Sequence, residues 1–169
     1  MVKYRNKFIA AAGAVVAAGG IAVSGLTAAS ASPAASHPVA GTEHFQIVNG
    51  SATARTAGVI ATGIFTAAGI DVMGTTTDTF RFPGGTFQVR HSAGRGTQSF
   101  NPRTCLATIS LRGTIRLGHG TGRYAGISGH GRYKLSILEV AARAKGKCSL
   151  TRPPAAFQQI LQAQGPVHL

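Results

Sequence analysis

Apolar and polar residues alternate with a period of two over most of the chain after residue 43. The clearest stretch runs from Cys105 to Leu117, where odd positions are apolar or small and even positions are mainly hydroxylated or basic. Successive side chains of a strand point to opposite faces, so this alternation predicts a strand with one buried face. Because the phase continues across Gly113, we predict one long strand kinked at that glycine.

Shorter segments carry the same signal, and turn residues separate them. Residues 80–82 and 87–90 flank a Pro-Gly-Gly sequence, which predicts a β-hairpin. Residues 45–48 precede Asn49-Gly50, a pair that favours a two-residue turn. Residues 58–65 predict another strand. The last stretch, from residue 157, is locally ambiguous, but its end suits a strand that closes the sheet.

The apolar positions change phase near residue 138. They are odd from Tyr133 to Ile137 and even from Leu138 onward. A bulge in a strand would explain this change. A short helix is the alternative, because residues 136–139 have capping-box spacing and Gly146 could end such a helix. We favour the strand.

Seven or eight such segments with glycine-rich turns and no strong helical pattern predict an all-β domain over residues 43–169, either a barrel or a sandwich. Residues 85–91 resemble 113–119, and residues 122–124 resemble 131–133. The spacing of these echoes is irregular, which favours hairpins that follow one another in a meander over a solenoid.

The N-terminal segment has a different composition. Three basic residues within positions 1–7 precede an uncharged run, residues 8–29, which is rich in Ala, Gly and Val, and an Ala-Ser-Ala sequence ends at Ala31. This layout predicts a secretory signal peptide over residues 1–31, although a retained membrane anchor is the alternative. Residues 32–42 predict a flexible leader. We therefore expect a secreted, extracellular protein without a membrane span after cleavage.

The two cysteines, Cys105 and Cys148, both follow the predicted cleavage site. In an oxidising compartment an even pair favours one disulfide, which would close a loop worth about 4 kcal/mol in the chain-entropy model. Two free thiols, or a nucleophilic cysteine with a histidine partner, are the alternatives.

One glycine-rich segment resembles a known family. Residues 120–131 read GTGRYAGISGHG and are similar to the Gly-Thr-Gly-x-aromatic-x-Gly-x-x-Gly segment of the allene oxide cyclase and dirigent-type barrels, especially their small secreted bacterial members. Residues 82–87, and Cys148 with the prolines and glycine that follow it, fit the same relatives. The resemblance implies a closed, antiparallel, eight-stranded barrel of calycin-like shape, and it implies no settled activity for the secreted members.

The resemblance also directs attention to acidic residues, because these families use carboxylates in the barrel interior. The chain has four: Glu43 lies at the edge of the leader, and Asp71 reads as a turn residue. Asp78 shares its phase with Phe80 and can point inward, whereas Glu139 falls at the phase change. Asp78 and Glu139 are therefore weak catalytic candidates.

The glycine-rich segment also supplies candidate binding residues. Tyr124 and Tyr133 are expected to line a cavity or its rim, with Arg123 and Arg132 beside them. A purely structural role for the segment is the alternative, since glycines permit a tight corner and a tyrosine can plug a barrel. The six histidines lack metal-ligand spacing, so we predict neither a metal nor a cofactor.

The chain is strongly basic, with 17 Lys and Arg against 4 Asp and Glu and a net charge of +13. Many of the cations alternate with apolar residues, which places them on the outer face of the predicted sheet. Such a surface attracts polyanions, although positive charge alone also keeps a protein dispersed. No motif specific for nucleic acid occurs, so an anionic cell-wall or extracellular polymer is the expected macromolecular partner.

Two functions follow from these patterns. The first is a non-catalytic barrel that binds a small apolar ligand inside or an anionic polymer outside. The second is a cofactor-independent cyclase or isomerase, or a dirigent-like protein that directs stereochemistry within the cavity. The sequence favours the first and leaves the ligand and the oligomeric state open.

Overall fold

The computed structural model describes residues 39–169, and within this range the chain is almost entirely β-structure. The predicted signal peptide and residues 32–38 of the predicted leader lie outside the described residues. Within them no helix is long and apolar enough to cross a membrane. The strands are β1 (Ala40–Asn49), β2 (Thr56–Thr62), β3 (Ala67–Val72), β4 (Thr77–Phe82), β5 (Gly85–His91), β6 (Arg95–Asn101), β7 (Leu106–Gly118), β8 (Ser128–Val140), β9 (Ala142–Ala144), β10 (Lys147–Ser149) and β11 (Ala156–His168), with a single 3-10 turn at Gly122–Tyr124.

Eight of these strands form a closed antiparallel barrel, as predicted. Strands β1 to β5 are sequential neighbours, and β5 pairs with the second half of β7, for example Val89 opposite Leu117. Strand β8 follows β7, and β11 then pairs with both β8 and β1. Strand β11, which is formed from the end of the chain, therefore pairs with the first strand and closes the cylinder.

The sheet extends beyond the barrel at one end. Strands β7, β8 and β11 each contain 13 residues, and β6 pairs with the first half of β7 beyond the point where β5 leaves it. A disulfide between Cys105 and Cys148, with an S–S distance of 2.06 Å, links the turn after β6 to the β9–β10 hairpin. The predicted cysteine pairing is therefore present in the structure.

Several predicted elements are confirmed. Strand β7 passes through Gly113 without interruption, and a Cβ at that position would lie 2.5 Å from a ring carbon of Tyr133. The predicted hairpin around Pro83-Gly84 forms β4 and β5. In β8 the backbone is a strand, and no helix forms there.

Three local predictions are wrong. The predicted two-residue turn at Asn49-Gly50 is instead a connection over residues 50–55, in which the Asn49 side chain accepts a hydrogen bond from the Ser51 N–H at 2.9 Å. The predicted bulge near Leu138 is absent, because β8 keeps an unbroken register with β7 and Leu138 simply points outward. The predicted leader is also too long, since β1 begins at Ala40 rather than Glu43.

Candidate functional site

The interior of the barrel is divided into two parts. We call the first the packed half, in which six aromatic rings with neighbouring centroids 5.2–6.4 Å apart fill the space: Phe45, Phe65, Phe80, Phe82, Phe87 and Tyr124. These rings pack against one another as one hydrophobic cluster. The second part, the open half, lies next to the extension and contains the candidate site.

The open half contains a cavity of about 360 Å³. Two chain segments form its rim, residues 74–76 between β3 and β4 and residues 92–94 between β5 and β6. Its apolar wall consists of Ile47, Met73, Leu111, Leu135 and Leu161, and its polar groups belong mainly to Asp71, Asp78, His91, Tyr133 and Gln159. A cavity with mostly apolar walls and a few convergent polar groups has the composition of small-molecule sites.

Asp71 is the most unusual residue of this cavity. It lies on β3 opposite Ala57 and is only 3% exposed, so its prediction as a turn residue is wrong. Its Oδ1 atom has no hydrogen-bond partner. Burial raises the pKa of the Asp71 carboxyl to about 7, and the nearby Asp78 carboxyl adds to the increase. Near neutral pH this group can therefore both donate and accept a hydrogen bond inside an apolar space.

Asp78 and His91 form a polar pair beside Asp71. The Oδ1 atom of Asp78 accepts a hydrogen bond from the Gly74 N–H at 2.8 Å and lies 3.6 Å from Nε2 of His91. The inward direction predicted for Asp78 is confirmed, since it shares the inner face of β4 with Phe80. The rim loop thus fixes one carboxylate, while the Asp71 carboxyl stays unpaired at Oδ1.

Tyr133 also lines the cavity. This position agrees with the prediction that Tyr133 lies in a cavity or at its rim. Its hydroxyl donates a hydrogen bond to the Ser92 carbonyl at 3.0 Å, and burial raises the pKa of the phenol. The ring packs where Gly113 has no side chain. Tyr133 therefore ties the rim segment to β8 and shapes the cavity wall.

The other predicted binding residues lie elsewhere. Tyr124 is 1% exposed within the packed half, and the guanidinium carbon of the exposed Arg123 is 5.9 Å from its ring centroid. Arg132 is on the outer face of β8. Only Tyr133 of the four therefore contributes to the cavity. Glu139 lies on the inner-facing side of the extension, opposite Ala107, and does not line the cavity.

Glu43 is a second buried acid. It was predicted to lie at the edge of the leader, and its burial was not predicted. It has no exposed surface, and its Oε2 atom accepts a hydrogen bond from the Phe65 N–H at 3.2 Å, while Oε1 has no partner. Burial raises the pKa of Glu43 above its usual value. The sequence contained a signal for this position, because Glu43 shares the phase of Phe45 and Ile47.

The carboxyl, imidazole and phenol groups of the site can form hydrogen bonds and transfer protons. Among residues 39–169 no three His, Cys, Asp or Glu side chains are grouped so that they could hold a metal ion. Comparisons with protein-family models, with curated proteins and with solved structures each find no match, so the geometry of the barrel carries the functional argument.

Proposed function

We propose that the open half of the barrel binds a small, largely apolar molecule with one hydrogen-bonding oxygen, without chemical conversion. The single observation that carries this proposal is the buried carboxyl of Asp71, whose Oδ1 atom has no partner in a cavity with apolar walls. An unsatisfied buried polar atom costs about 1–3 kcal/mol, and a ligand oxygen at Oδ1 would remove that cost.

The walls and the size of the cavity support the choice of ligand class. Leucine, isoleucine and methionine side chains favour an apolar body through the hydrophobic effect. A space of about 360 Å³ is near the lower end of the usual range for ligand pockets, which favours a compact molecule of one or two rings. Interior binding is also what the resemblance to allene oxide cyclase and dirigent-type barrels implies, and we place it outside the cell after removal of residues 1–31.

The proposal is tested with two probes that differ in hydrogen bonding. 2-Acetylnaphthalene only accepts hydrogen bonds, whereas 2-naphthol can also donate one. Because the Asp71 carboxyl titrates near pH 7, we expect the ketone to bind more tightly at pH 5 than at pH 9 by about threefold to tenfold. The phenol should keep its affinity at pH 8, where it donates to the carboxylate. Calorimetric titration of residues 32–169 measures the affinity for each probe at each pH.

A matched pair of variants locates the site. Leu161→Trp fills the cavity, whereas Gln158→Trp adds the same ring on the same strand at an exposed, outward position. We expect binding of both probes to be lost in the first variant and unchanged in the second. Equal binding by the two variants, or no pH effect for the ketone, would refute interior binding with Asp71 as the polar contact.

A second candidate function is cofactor-independent isomerisation through an enol. It is favoured by the position of Asp71, a carboxyl with a pKa of about 7, beside the Asp78–His91 pair. Enzymes often place a proton donor and a proton acceptor around a reacting atom. Asp71 would donate its proton to the carbonyl oxygen of a ketone while His91 takes the proton from the adjacent carbon.

Hydrogen–deuterium exchange separates catalysis from binding. If the second function holds, the protein accelerates exchange of the α-protons of 2-tetralone in D₂O, and Asp71→Asn removes the acceleration. If the protein binds 2-tetralone but the exchange rate equals that of buffer, the site binds without acting as an isomerase on ketones.

A further inference from the structure

The acidic and the basic residues of the nine-stranded sheet lie on opposite faces. All four acids lie on the inner side of their strands: Glu43, Asp71, Asp78 and Glu139. In the nine-stranded sheet, the outward-facing positions with a formal charge are all cationic and exposed: Arg81, Arg90, Arg95, Arg112, Arg116, Arg132 and Lys134. Among residues 39–169 the one acid–base contact within 4.0 Å is the inner pair His91–Asp78. Within these described residues the outer cations therefore have no protein counter-ion.

The strand register places these cations directly against one another. Arg95 pairs with Arg112, and Arg112 pairs with Lys134, which gives a row of three cations across β6, β7 and β8. Adjacent strands are about 4.8 Å apart, and like charges in opposite positions destabilise a sheet. An anion bound across the row would relieve this repulsion.

A second row reinforces the first. Arg90 pairs with Arg116, and Arg116 pairs with His130 on β8. Arg132 lies on β8 between His130 of this row and Lys134 of the first. The cations thus form a continuous surface, rather than isolated charges on a mixed surface.

This surface continues into a groove of about 550 Å³ on the outside of the barrel. One wall contains three of the cations, Arg112, Arg132 and Lys134. The opposite wall contains outward-facing polar and apolar side chains from β11, β1 and β2: His44, Gln46, Ile60, Thr62, Gln162 and Gln164. In register, Lys134 lies opposite Gln162, which lies opposite Gln46, so the groove changes from cationic to amide character across the sheet.

We propose that this groove, with the adjoining cationic rows, binds an acidic polysaccharide. The cations bind the acid groups, whereas amide side chains can both donate hydrogen bonds to and accept them from the sugar hydroxyls next to those groups. A chain that carries an acid group on successive sugars would contact several cations at once. This site is independent of the cavity inside the barrel.

The same surface is poorly suited to single-stranded nucleic acid. Binding of that class combines a cationic groove with exposed aromatic rings on which bases stack. None of the Phe or Tyr side chains among residues 39–169 points outward from the strands of this face, because Phe100 and Phe157 lie on the inner-facing side of the extension. Amides without stacking rings favour the hydroxyl-rich polymer.

Two triple variants of equal charge test the proposal. Arg112→Thr, Arg132→Thr and Lys134→Thr alter the groove at exposed strand positions, where threonine suits the β-conformation. Arg55→Thr, Lys147→Thr and Arg152→Thr remove three exposed cations that do not line it. Binding of polygalacturonate to residues 32–169 is measured at 50 and 150 mM salt, with neutral dextran as the control polymer. Thermal unfolding confirms that each variant is folded.

We expect the groove triple to weaken polygalacturonate binding at least tenfold and the control triple to weaken it less than threefold. Dextran should not bind, and affinity for polygalacturonate should fall as salt rises. Equal losses in both triples would overturn the proposal in favour of net charge alone. Absence of binding at 50 mM salt would overturn it outright. Tighter binding of a single-stranded oligonucleotide at equal charge, with the same loss in the groove triple, would replace the polysaccharide by nucleic acid.

Discussion

The two halves of the barrel interior are built from the same alternating strands but have opposite properties. In the packed half, large aromatic rings contact one another, and one oxygen of Glu43 accepts a backbone hydrogen bond while the other, Oε1, has no partner. In the open half, aliphatic side chains surround a cavity, and the Asp71 carboxyl has an oxygen without a partner. The comparison indicates that large aromatic side chains fill one half, while smaller aliphatic side chains leave a cavity in the other.

Truncation of a large side chain should separate the halves most strongly. Phe87 is fully buried among the rings, so Phe87→Ala should lower the free energy of unfolding by about 4 kcal/mol. Leu161 is only partly buried and lines an existing cavity, so we expect Leu161→Ala to lower it by about 2 kcal/mol. Denaturant titration with the disulfide intact measures both. Equal losses would show that the open half is as tightly packed as the other.

Asp71 should make stability depend on pH. Its raised pKa means that the folded protein binds more protons than the unfolded chain between about pH 4 and pH 7, so stability from this group is lost as pH rises through 7. At pH 8 we expect Asp71→Asn to stabilise the protein by an amount on the order of 3 kcal/mol, with little change at pH 4. Denaturant titration at the two pH values measures this. An equal gain in stability at pH 4 and pH 8 would contradict the raised pKa of Asp71.

The corresponding change in the packed half should have a smaller effect. The pKa of Glu43 is also raised by burial, but the hydrogen bond from the Phe65 N–H opposes part of that shift. Glu43→Gln should therefore stabilise the protein at pH 8 relative to pH 4, by less than Asp71→Asn does. The same denaturant titrations provide the measurement. A larger gain than that of the Asp71 variant would reverse the ranking of the two buried acids.

The smallest effect is expected at the rim. Tyr133→Phe keeps the ring against Gly113 but removes the hydrogen bond to the Ser92 carbonyl, which should cost about 1 kcal/mol. Amide hydrogen exchange should increase for residues 92–94 while the packed half stays protected. Unchanged exchange in that segment would show that the tyrosine hydroxyl does not hold the rim.

Much of the fold was predictable because alternation is a local property. Strand β7 and the β4–β5 hairpin were predicted in place, and the inward direction of Asp78 followed from its phase with Phe80. Strand β6 was missed because its residues are all exposed and show no alternation of apolar and polar positions. Its position is set by pairing with β7, a contact between segments rather than within one.

Asp71 shows why the site was harder to predict than the strands. Asp71 was predicted as a turn residue, but in the structure it lies on β3 with Ile70, where Ile70 is 47% exposed and Asp71 is buried. The register decides this, since Gly58 pairs with Ile70 outside and Ala57 with Asp71 inside. A shift of one residue would exchange the two faces, so local hydrophobicity alone cannot assign them.

The sequence by itself determined that the chain forms alternating strands, that it contains one pair of cysteines, and that the polar positions of the strands are rich in cations. These features follow from residue types and a period of two, which act locally. Only the tertiary structure decided which acids are buried, which tyrosine lines the cavity, and which cations stand opposite one another. Those properties depend on strand register and barrel closure, which bring together side chains from distant parts of the chain.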